Sequence, residues 1–170
     1  RNRKYMVSWE PYANAKWHMP YDATITKKQF DKIASYVNAL PEGFALQKQV
    51  ARLHSDRIKM AEGAIPINWG FAELLAYASL LDKGHGVRLS GEDVGRGTFA
   101  HRHGVFHEQN TGEVFTPLKN IHKEQGDFQI IDSLLSEEAV LGFEYGFSCA
   151  APENLVVWEA QFGDFVNTAQ

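Results

Sequence analysis

The chain has 170 residues, of which 44% are apolar, so it is long enough to form one domain with a sizeable core. A formal net charge of −4 does not suggest a general nucleic-acid surface. The single cysteine, Cys149, excludes an internal disulfide framework and fits a reducing compartment. No apolar run approaches the roughly 18 residues of a membrane span, and no signal-peptide pattern is present.

The N-terminal third predicts an arm and two helices. The first 26 residues are aromatic and irregular, which favours an extended arm that packs on another surface. Thr26 opens a helical pattern that ends near Pro41, and a second amphipathic helix is predicted over about 44–61. The chain begins with Arg1 and stops at what reads as the first turns of a helix, so we expect a piece of a longer polypeptide.

From residue 65 onward the pattern alternates between strands and helices. The predicted elements are, in order, a helix capped by Asn68 and ended by Gly84, a strand at 87–89, a long polar loop over about 93–126, a strand at 128–131, a helix over 135–148, a strand at 155–159 and the start of a last helix. Strands that alternate with helices of about 12–15 residues predict an α/β fold with a parallel sheet flanked by helices.

Three acidic segments follow the three predicted strands, namely SGED, DSLLSEE and EAQFGDF. Because ligands bind beyond the carboxyl ends of parallel strands, these acids are expected at one rim of the sheet, where a site would lie. Residues 124–170 hold nine acids and no lysine, arginine or histidine. Any buried acid among them must therefore find a distant cation, stay protonated, or bond to a ligand.

Glu137 is the candidate with the most specific pattern. The helix that opens at Ser136 is apolar on nearly every side, which predicts burial, and it carries Glu137 and Glu138 in its first turn. For Glu138 we favour a complement to the helix dipole. Glu137 also shares a face with Val140 and Glu144, at the mouth of an apolar stripe without a local base. Such a carboxyl would have a raised pKa and could donate a proton or bond to a ligand nitrogen.

The other candidates near the rim have both structural and functional interpretations. Glu144 is interpreted as a core or subunit-interface acid with a distant partner, and Glu92 as a second acid at the rim. Phe162 and Phe165 lie three residues apart beside Gln161, a spacing that favours core packing. A flat heterocyclic ligand at this rim would reverse that interpretation.

The stretch GRGTFAHRHGVFH, residues 95–107, is called the histidine loop below. His101, His103 and His107 invite a metal interpretation, but no cysteine lies nearby and the spacing fits no common zinc pattern, so no metal site is predicted. Together with Arg96 and Arg102, the histidines suit an anionic partner or a dicarboxylate substrate better. A structural turn built on the glycines of the loop is equally consistent.

Three stretches carry a resemblance to a known family: LSGEDVGRGTFAHRHGVFHEQ, DSLLSEEAVLGFEYGFS and VVWEAQFGDFVNTAQ. They resemble the thiamine diphosphate-dependent 2-oxoglutarate dehydrogenases. In this family the enzyme is the first, decarboxylating component of the 2-oxoglutarate dehydrogenase complex. The similarity covers essentially the whole chain. The resemblance implies a transketolase-like pyrimidine-binding domain, truncated, over residues 61–170. Residues 1–60 would then form a connecting arm and helical segment.

The resemblance also implies roles for individual residues. Glu137 matches the glutamate that bonds to the aminopyrimidine ring and shares a proton with it. Phe165 matches the phenylalanine that packs against this ring, and Gln161 and Phe162 lie beside it. Glu92 matches an acid of a polar tunnel that joins the two active sites of a dimer in related pyruvate enzymes. Glu144 would then be an interface acid.

The implied reaction is the oxidative decarboxylation of 2-oxoglutarate in the tricarboxylic acid cycle, with transfer of the succinyl group to a lipoyl carrier. Its implied cofactors are thiamine diphosphate and Mg²⁺, with the magnesium ligands outside this chain, so the chain alone is expected to have no turnover. The implied partners are a second copy in a homodimer and the lipoyl-bearing succinyltransferase, with no nucleic acid and no membrane. The implied location is the bacterial cytoplasm or the mitochondrial matrix.

Two alternatives stay open. One is a sister specificity, such as 2-oxoadipate, or a transketolase-type enzyme. The other is a non-catalytic dimerisation module whose acids pair with a basic partner surface.

Overall fold

The computed structural model describes residues 9–16 and 18–170. Residues 1–8 and Trp17, which belong to the predicted arm, lie outside the described residues. The helices and strands are α1 (Lys27–Val37), α2 (Lys48–Ala61), α3 (Trp69–Asp82), β1 (Val87–Gly91), β2 (Phe106–His107), β3 (Val114–Phe115), β4 (Phe128–Asp132), α4 (Glu137–Ala150) and β5 (Leu155–Glu159). Short 3-10 turns occupy Pro117–Lys119 and Phe162–Val166. Within the described part of the chain, no helix is long and apolar enough to cross a membrane.

The predicted parallel sheet is confirmed. It has three strands in the order β4-β1-β5, and both neighbours run parallel to β1. Gly91 lies opposite Asp132 on one side and Glu159 on the other, so all three strands end at the same level. Gly91 has a φ of 149°, and a Cβ atom there would collide with the carbonyl oxygen of Glu159. Only glycine therefore allows the two strands to approach so closely at this edge.

The caps that the sequence predicts are present in the first and third helices. Thr26 and Gln29 form a reciprocal capping box at the start of α1. Asn68 accepts a hydrogen bond of 2.9 Å from the backbone N–H of Phe71, and α3 is followed by Gly84 with a φ of 86°. The second predicted helix begins later than expected, at Lys48 rather than near residue 44.

The core lies between α1, α3 and the sheet. Helix α3 is apolar on most sides because it contacts both α1 and β1. Its buried side chains, together with those of α1 and the strands, include Ile33, Val37, Phe71, Leu74, Ala78, Leu81, Val87, Leu89 and Phe128. Helix α4 is different: although its composition predicts burial, only Val140 and Glu144 are buried, while Phe143 and Tyr145 are exposed.

The described part of the arm is irregular up to Thr26, as predicted. Its Trp9 indole N–H donates a hydrogen bond of 2.8 Å to the backbone carbonyl of Cys149, in the last turn of α4. Because that carbonyl lies in the last turn of a helix, it has no partner within the helix, and the indole satisfies it. This hydrogen bond ties the start of the described arm to the end of α4, while the described arm residues up to Thr26 are exposed.

The expectation of a long polar loop over 93–126 is wrong in part. Strands β2 and β3 form an antiparallel pair, and the buried side chains of the segment include Arg102, Phe106 and Leu118. Arg57 of α2 is also buried, and its guanidinium donates to the carbonyl oxygens of His101, Arg102 and His103. Burial lowers the pKa of Arg57 to about 10, so its side chain stays charged at neutral pH. The segment is polar in composition, but its Arg102 pairs with acids inside the protein.

Glu108 joins the hairpin to the segment before α2. Its carboxylate accepts hydrogen bonds from the backbone N–H groups of Asn110, Thr111 and Ala45, and from the side-chain amide of Asn110. These donors, the Thr111 N–H above all, lower the pKa of Glu108 from an ordinary value of 4.5 to about 2. The folded state therefore binds fewer protons than the unfolded state between these two values.

Glu108→Gln is expected to flatten the acid dependence of stability. The stabilisation from Glu108 is fully present above its unfolded-state pKa near 4.5 and is lost as the pH falls toward about 2. Urea midpoints measured from neutral pH to about pH 2.5 should fall less steeply for the variant than for the parent protein. Glu124→Gln, which changes an exposed glutamate of the same loop, is the matched control. Equal slopes for Glu108→Gln and the parent would contradict this assignment.

Candidate functional site

A pocket of about 200 Å³ lies at the carboxyl ends of the strands and is called the rim pocket below. Its walls include Glu92 after β1, Leu135 and Glu137 after β4, Trp158 of β5 and Asp164 of the 3-10 turn that follows β5. The three acidic segments therefore meet at one rim, as their positions after the strands predict.

The turn between β4 and α4 presents Glu137 to this pocket. Ser133 donates a backbone hydrogen bond of 2.7 Å to the carbonyl oxygen of Gly91, which ties the turn to the central strand. Ser136 occupies the N-cap position with an extended backbone, but its side chain makes no capping hydrogen bond. Glu137 follows as the first residue of α4, so its position depends on the backbone of the turn rather than on a side-chain cap.

The surroundings of Glu137 differ from the expectation. One carboxylate oxygen accepts a hydrogen bond of 3.0 Å from the side-chain amide of Asn167, and the other accepts one of 3.0 Å from the hydroxyl of Thr168. Its own backbone N–H, then Thr168 and Asn167, lower the pKa of Glu137, while partial burial acts in the opposite direction. The predicted raised pKa is therefore wrong, because the carboxylate is half-buried and has polar donors.

The aromatic residues near the rim are exposed. Phe162 and Phe165 are 75% and 59% exposed, so the core packing that their spacing favours is wrong. They lie in a 3-10 turn rather than in the first turns of an α-helix, and that turn directs both rings away from the core. Val166 of the same turn and Leu134 of the rim pocket are also exposed apolar side chains.

Hydrogen bonds to other residues of the same chain hold Gln161 in place. Its side-chain amide donates to the hydroxyl of Thr98 at 3.0 Å and to the carbonyl oxygen of Glu92 at 3.3 Å. Its backbone N–H donates to the carboxylate of Asp164 at 2.8 Å, which closes the capping box of the 3-10 turn. The amide group of Gln161 therefore faces the histidine loop, and the backbone of Glu92 lies beside it.

Glu144 has the distant cation that its sequence context requires. Its two oxygens accept hydrogen bonds of 2.7 and 2.9 Å from the guanidinium of Arg88 in β1, in a bidentate arrangement. The rings of Phe143 and Phe147 lie 5.1 and 4.9 Å from the same guanidinium. Sequence reasoning missed Arg88, because an arginine inside a short apolar strand carries no signal of its partner 56 residues away.

The histidine loop does not form one cationic surface. Arg102 is only 2% exposed and its guanidinium donates to Glu73, Glu159 and the carbonyl oxygen of Val94, so it cannot also serve an anionic partner. Burial alone would lower the pKa of Arg102, but the hydrogen bonds to Glu73 and Glu159 outweigh burial and raise this pKa. The ring of His101 faces Glu73 at 3.6 Å. This buried network was not predicted, because its members are far apart in the sequence.

Arg96 and His103 line a second cavity of about 540 Å³, together with Asp93, Asp132 and His107. Arg96 pairs with Asp93 at 3.1 Å. Burial, followed by the charges of Arg57, Arg96 and His101, lowers the pKa of His103, which favours a neutral imidazole. Among residues 9–16 and 18–170, no group of three or more histidine, cysteine or acidic side chains is arranged to hold a metal ion.

Residues 65–170 match the protein family described as the transketolase, pyrimidine-binding domain. The chain is 48% identical over 169 residues to the 2-oxoglutarate dehydrogenase E1 component of Azotobacter vinelandii, an alignment that covers 99% of this chain and 18% of that protein. The corresponding protein of Haemophilus influenzae is 48% identical over 164 residues, 96% of this chain and 18% of that protein. The oxoglutarate dehydrogenase of Buchnera aphidicola is 50% identical over 146 residues, 86% of this chain and 16% of that protein. The chain thus spans about 18% of the length of the first two of these relatives.

Proposed function

The chain belongs to the transketolase pyrimidine-binding domain family, and from this premise we propose that it forms the pyrimidine-binding face of a thiamine diphosphate site in a 2-oxoglutarate dehydrogenase. One observation carries the proposal: Glu137 and an exposed aromatic turn lie together at the carboxyl edge of the parallel sheet. Phe165 lies between Asp164, which lines the rim pocket with Glu137, and Asn167, which bonds to Glu137.

The residues present fit an aminopyrimidine ring. Such a ring has two apolar faces and a nitrogen that can carry a proton. Phe165 and Phe162 offer exposed aromatic surface for a face, and Glu137 offers a hydrogen-bond acceptor for the nitrogen. Thiamine diphosphate, when bound, supplies the electron sink that allows a 2-oxo acid to lose carbon dioxide.

The lowered pKa of Glu137 defines its role as an acceptor. At neutral pH the side chain is a carboxylate, and a carboxylate has about four lone-pair sites. Asn167 and Thr168 use one site on each oxygen and the backbone N–H of Glu137 uses a third, which leaves a site for a ring nitrogen. Glu137 would hold a proton at that nitrogen, and the two donors would hold the carboxylate in place while it does so.

We extend the proposal to the neighbouring candidates. The 3-10 turn Phe162–Val166 is called the ring-binding turn below, and Gln161 and Phe162 would support it. Glu92, which is exposed at the rim, would face the partner subunit as part of a polar path between the active sites. Glu144 would hold α4 against the sheet through Arg88.

His101, His103 and Arg96 are proposed as contacts of an anionic substrate. Arg96 and His103 line the second cavity, which supports this role for those two residues. The lowered pKa of His103 argues against this role for that residue, because a neutral imidazole attracts anions less than its cation does.

The proposed assembly is a homodimer that works with a lipoyl-bearing succinyltransferase. The exposed apolar side chains of α4 and of the 162–166 turn support a second subunit, because such surface is costly to leave in water. We place the ligands of Mg²⁺ outside this chain. The relatives named above are bacterial, which supports the bacterial cytoplasm as the location rather than the mitochondrial matrix.

The complete enzyme, supplied with thiamine diphosphate and Mg²⁺, is expected to decarboxylate 2-oxoglutarate in preference to the six-carbon 2-oxoadipate. One methylene in a fitted pocket is worth about 10- to 200-fold in kcat/KM, so release of carbon dioxide from the two diacids separates the specificities. A preference for the six-carbon acid would support the sister specificity, and decarboxylation of neither acid would contradict the proposal. The 170-residue chain alone is expected to show no turnover above background.

A further inference from the structure

Hydrogen bonds join the histidine loop to the turn that carries Phe165. The hydroxyl of Thr98 lies 3.2 Å from a carboxylate oxygen of Glu159 and 3.0 Å from the side-chain nitrogen of Gln161. Since the carboxylate only accepts and the amide nitrogen only donates, the hydroxyl donates to Glu159 and accepts from Gln161. The backbone N–H of Thr98 also donates to Glu159, at 3.2 Å.

The carboxylate of Glu159, at one end of these hydrogen bonds, is held firmly in place. Glu159 is the last residue of β5, and its second oxygen pairs with the buried guanidinium of Arg102. Arg102 in turn pairs with Glu73 of α3 and donates to the carbonyl oxygen of Val94 at 2.9 Å. A carboxylate held by a strand and by a buried arginine is a rigid reference point, because moving it would leave a charge unpaired inside the protein.

An apolar contact lies beside the hydrogen bonds between Thr98 and Gln161. Phe99 follows Thr98, and its ring packs edge-on against the ring of Phe162 with 6.2 Å between the centroids. Thr98 and Phe99 therefore hold Gln161 and Phe162, two consecutive residues at the start of the ring-binding turn. Gln161 also donates to the backbone carbonyl oxygen of Glu92 at 3.3 Å, and the Asp164 N–H donates to the carbonyl oxygen of Gln161 at 3.1 Å.

We infer that Thr98 is a positioning residue for the cofactor site, acting through Gln161 to fix the turn that presents Phe165. The inference rests on the proposed function, since it assigns the turn to the pyrimidine ring. It deepens that function because it gives the histidine loop a task other than contact with substrate. It also gives Gln161 a role, since the amide group of this residue links the turn to Thr98 and to the backbone of Glu92.

The test compares three variants of the complete enzyme. Thr98→Val keeps the β-branched shape and removes both hydrogen bonds of the hydroxyl, whereas Thr98→Ser keeps the hydroxyl. Thr111→Val makes the same change at an exposed threonine of the hairpin, whose hydroxyl accepts a hydrogen bond of 3.2 Å from the Glu113 N–H and bonds to the carboxylate of Glu108, away from the rim pocket. It is the matched control.

Thr98→Val is expected to raise the Kd for thiamine diphosphate, measured by calorimetry with Mg²⁺ present, by about tenfold. The near-ultraviolet circular dichroism of the bound cofactor should change, and kcat at saturating cofactor should fall less than the affinity does. Thr98→Ser and Thr111→Val should bind as the parent does, and the Tm without cofactor should be similar in all four proteins.

Three results would overturn the inference. Parent-like affinity and circular dichroism in Thr98→Val would remove the positioning role and leave the proposed function intact. A lower Tm in Thr98→Val with unchanged cofactor affinity would reduce Thr98 to a purely structural residue. Failure of the parent enzyme itself to bind thiamine diphosphate would overturn the proposed function and, with it, this inference.

Discussion

Glu137→Gln in the complete enzyme is expected to lower kcat for 2-oxoglutarate decarboxylation by about 10²- to 10⁴-fold, the range that positioned proton transfer contributes. Glutamine has nearly the shape of glutamate and its oxygen can still accept from Thr168 or Asn167, so the turn should keep its fold. Its uncharged amide cannot hold a proton at a ring nitrogen. Initial rates at saturating thiamine diphosphate and Mg²⁺ measure the effect.

Glu138→Gln is the matched control for this prediction. Both glutamates lie in the first turn of α4, so both substitutions remove the same charge from the helix N-terminus. Only Glu137 lines the rim pocket and bonds to Asn167 and Thr168. Equal losses in the two variants would assign the effect to the helix dipole and contradict a specific role for Glu137.

The same variant separates the enzyme from a dimerisation module. If Glu137 acts on the cofactor, Glu137→Gln should lose decarboxylation while its mass in solution, measured by light scattering, stays that of the parent. If the acids of residues 124–170 serve only a partner surface, the variant should lose assembly and keep any chemistry. The second result would contradict the proposed function.

Glu144→Leu is expected to destabilise the chain by about 3–5 kcal/mol, because it leaves the guanidinium of Arg88 without its carboxylate in a largely buried place. Arg88 and Glu144 have side chains that are 13% and 7% exposed, and their pairing is bidentate. Urea unfolding of the parent and the variant measures the difference.

The double variant Arg88→Met/Glu144→Leu tests the reason for that loss. Replacing both members of a buried ion pair with apolar residues is often nearly neutral, so the double variant should regain most of the stability. A loss in Glu144→Leu below about 1 kcal/mol would instead mean that the pair behaves like an exposed one. An additive loss in the double variant would mean that packing, rather than the unpaired charge, sets the effect.

Local chemistry made much of the fold predictable. Thr26 and Asn68 are capping residues whose side-chain oxygens satisfy nearby backbone N–H groups, so each helix start depends on a few adjacent residues. The strand over 155–159 was predicted to the residue, because a run of apolar residues ends at the acidic segment that follows. The meeting of three strand ends at one rim follows from the parallel order alone.

The errors arose where a side chain finds its partner far along the chain. Arg102 belongs to a buried network because it meets Glu73 and Glu159, which are 29 and 57 residues away. Glu137 has a lowered pKa because its donors come from residues 167 and 168. Sequence spacing does not report such contacts. It therefore leaves an anion-binding role and a structural turn equally open for the histidine loop, and it predicts apolar surroundings for Glu137.

The periodicity argument failed for a different reason at Phe162 and Phe165. A spacing of three residues predicts a shared buried face only if the segment is an α-helix that packs on the core. Here the segment is a 3-10 turn at the surface, and both rings are exposed. Apolar side chains that a fold leaves at a rim indicate a ligand or a partner, which is the role that the family resemblance implies for Phe165.

The most direct measurement is a crystal structure of the complete enzyme with thiamine diphosphate and Mg²⁺ bound. The account predicts a carboxylate oxygen of Glu137 about 2.6–3.0 Å from a ring nitrogen of the pyrimidine, with the ring of Phe165 against the pyrimidine face. A bound cofactor whose pyrimidine lies away from the rim pocket, with Glu137 still directed only at Asn167, Thr168 and solvent, would contradict it.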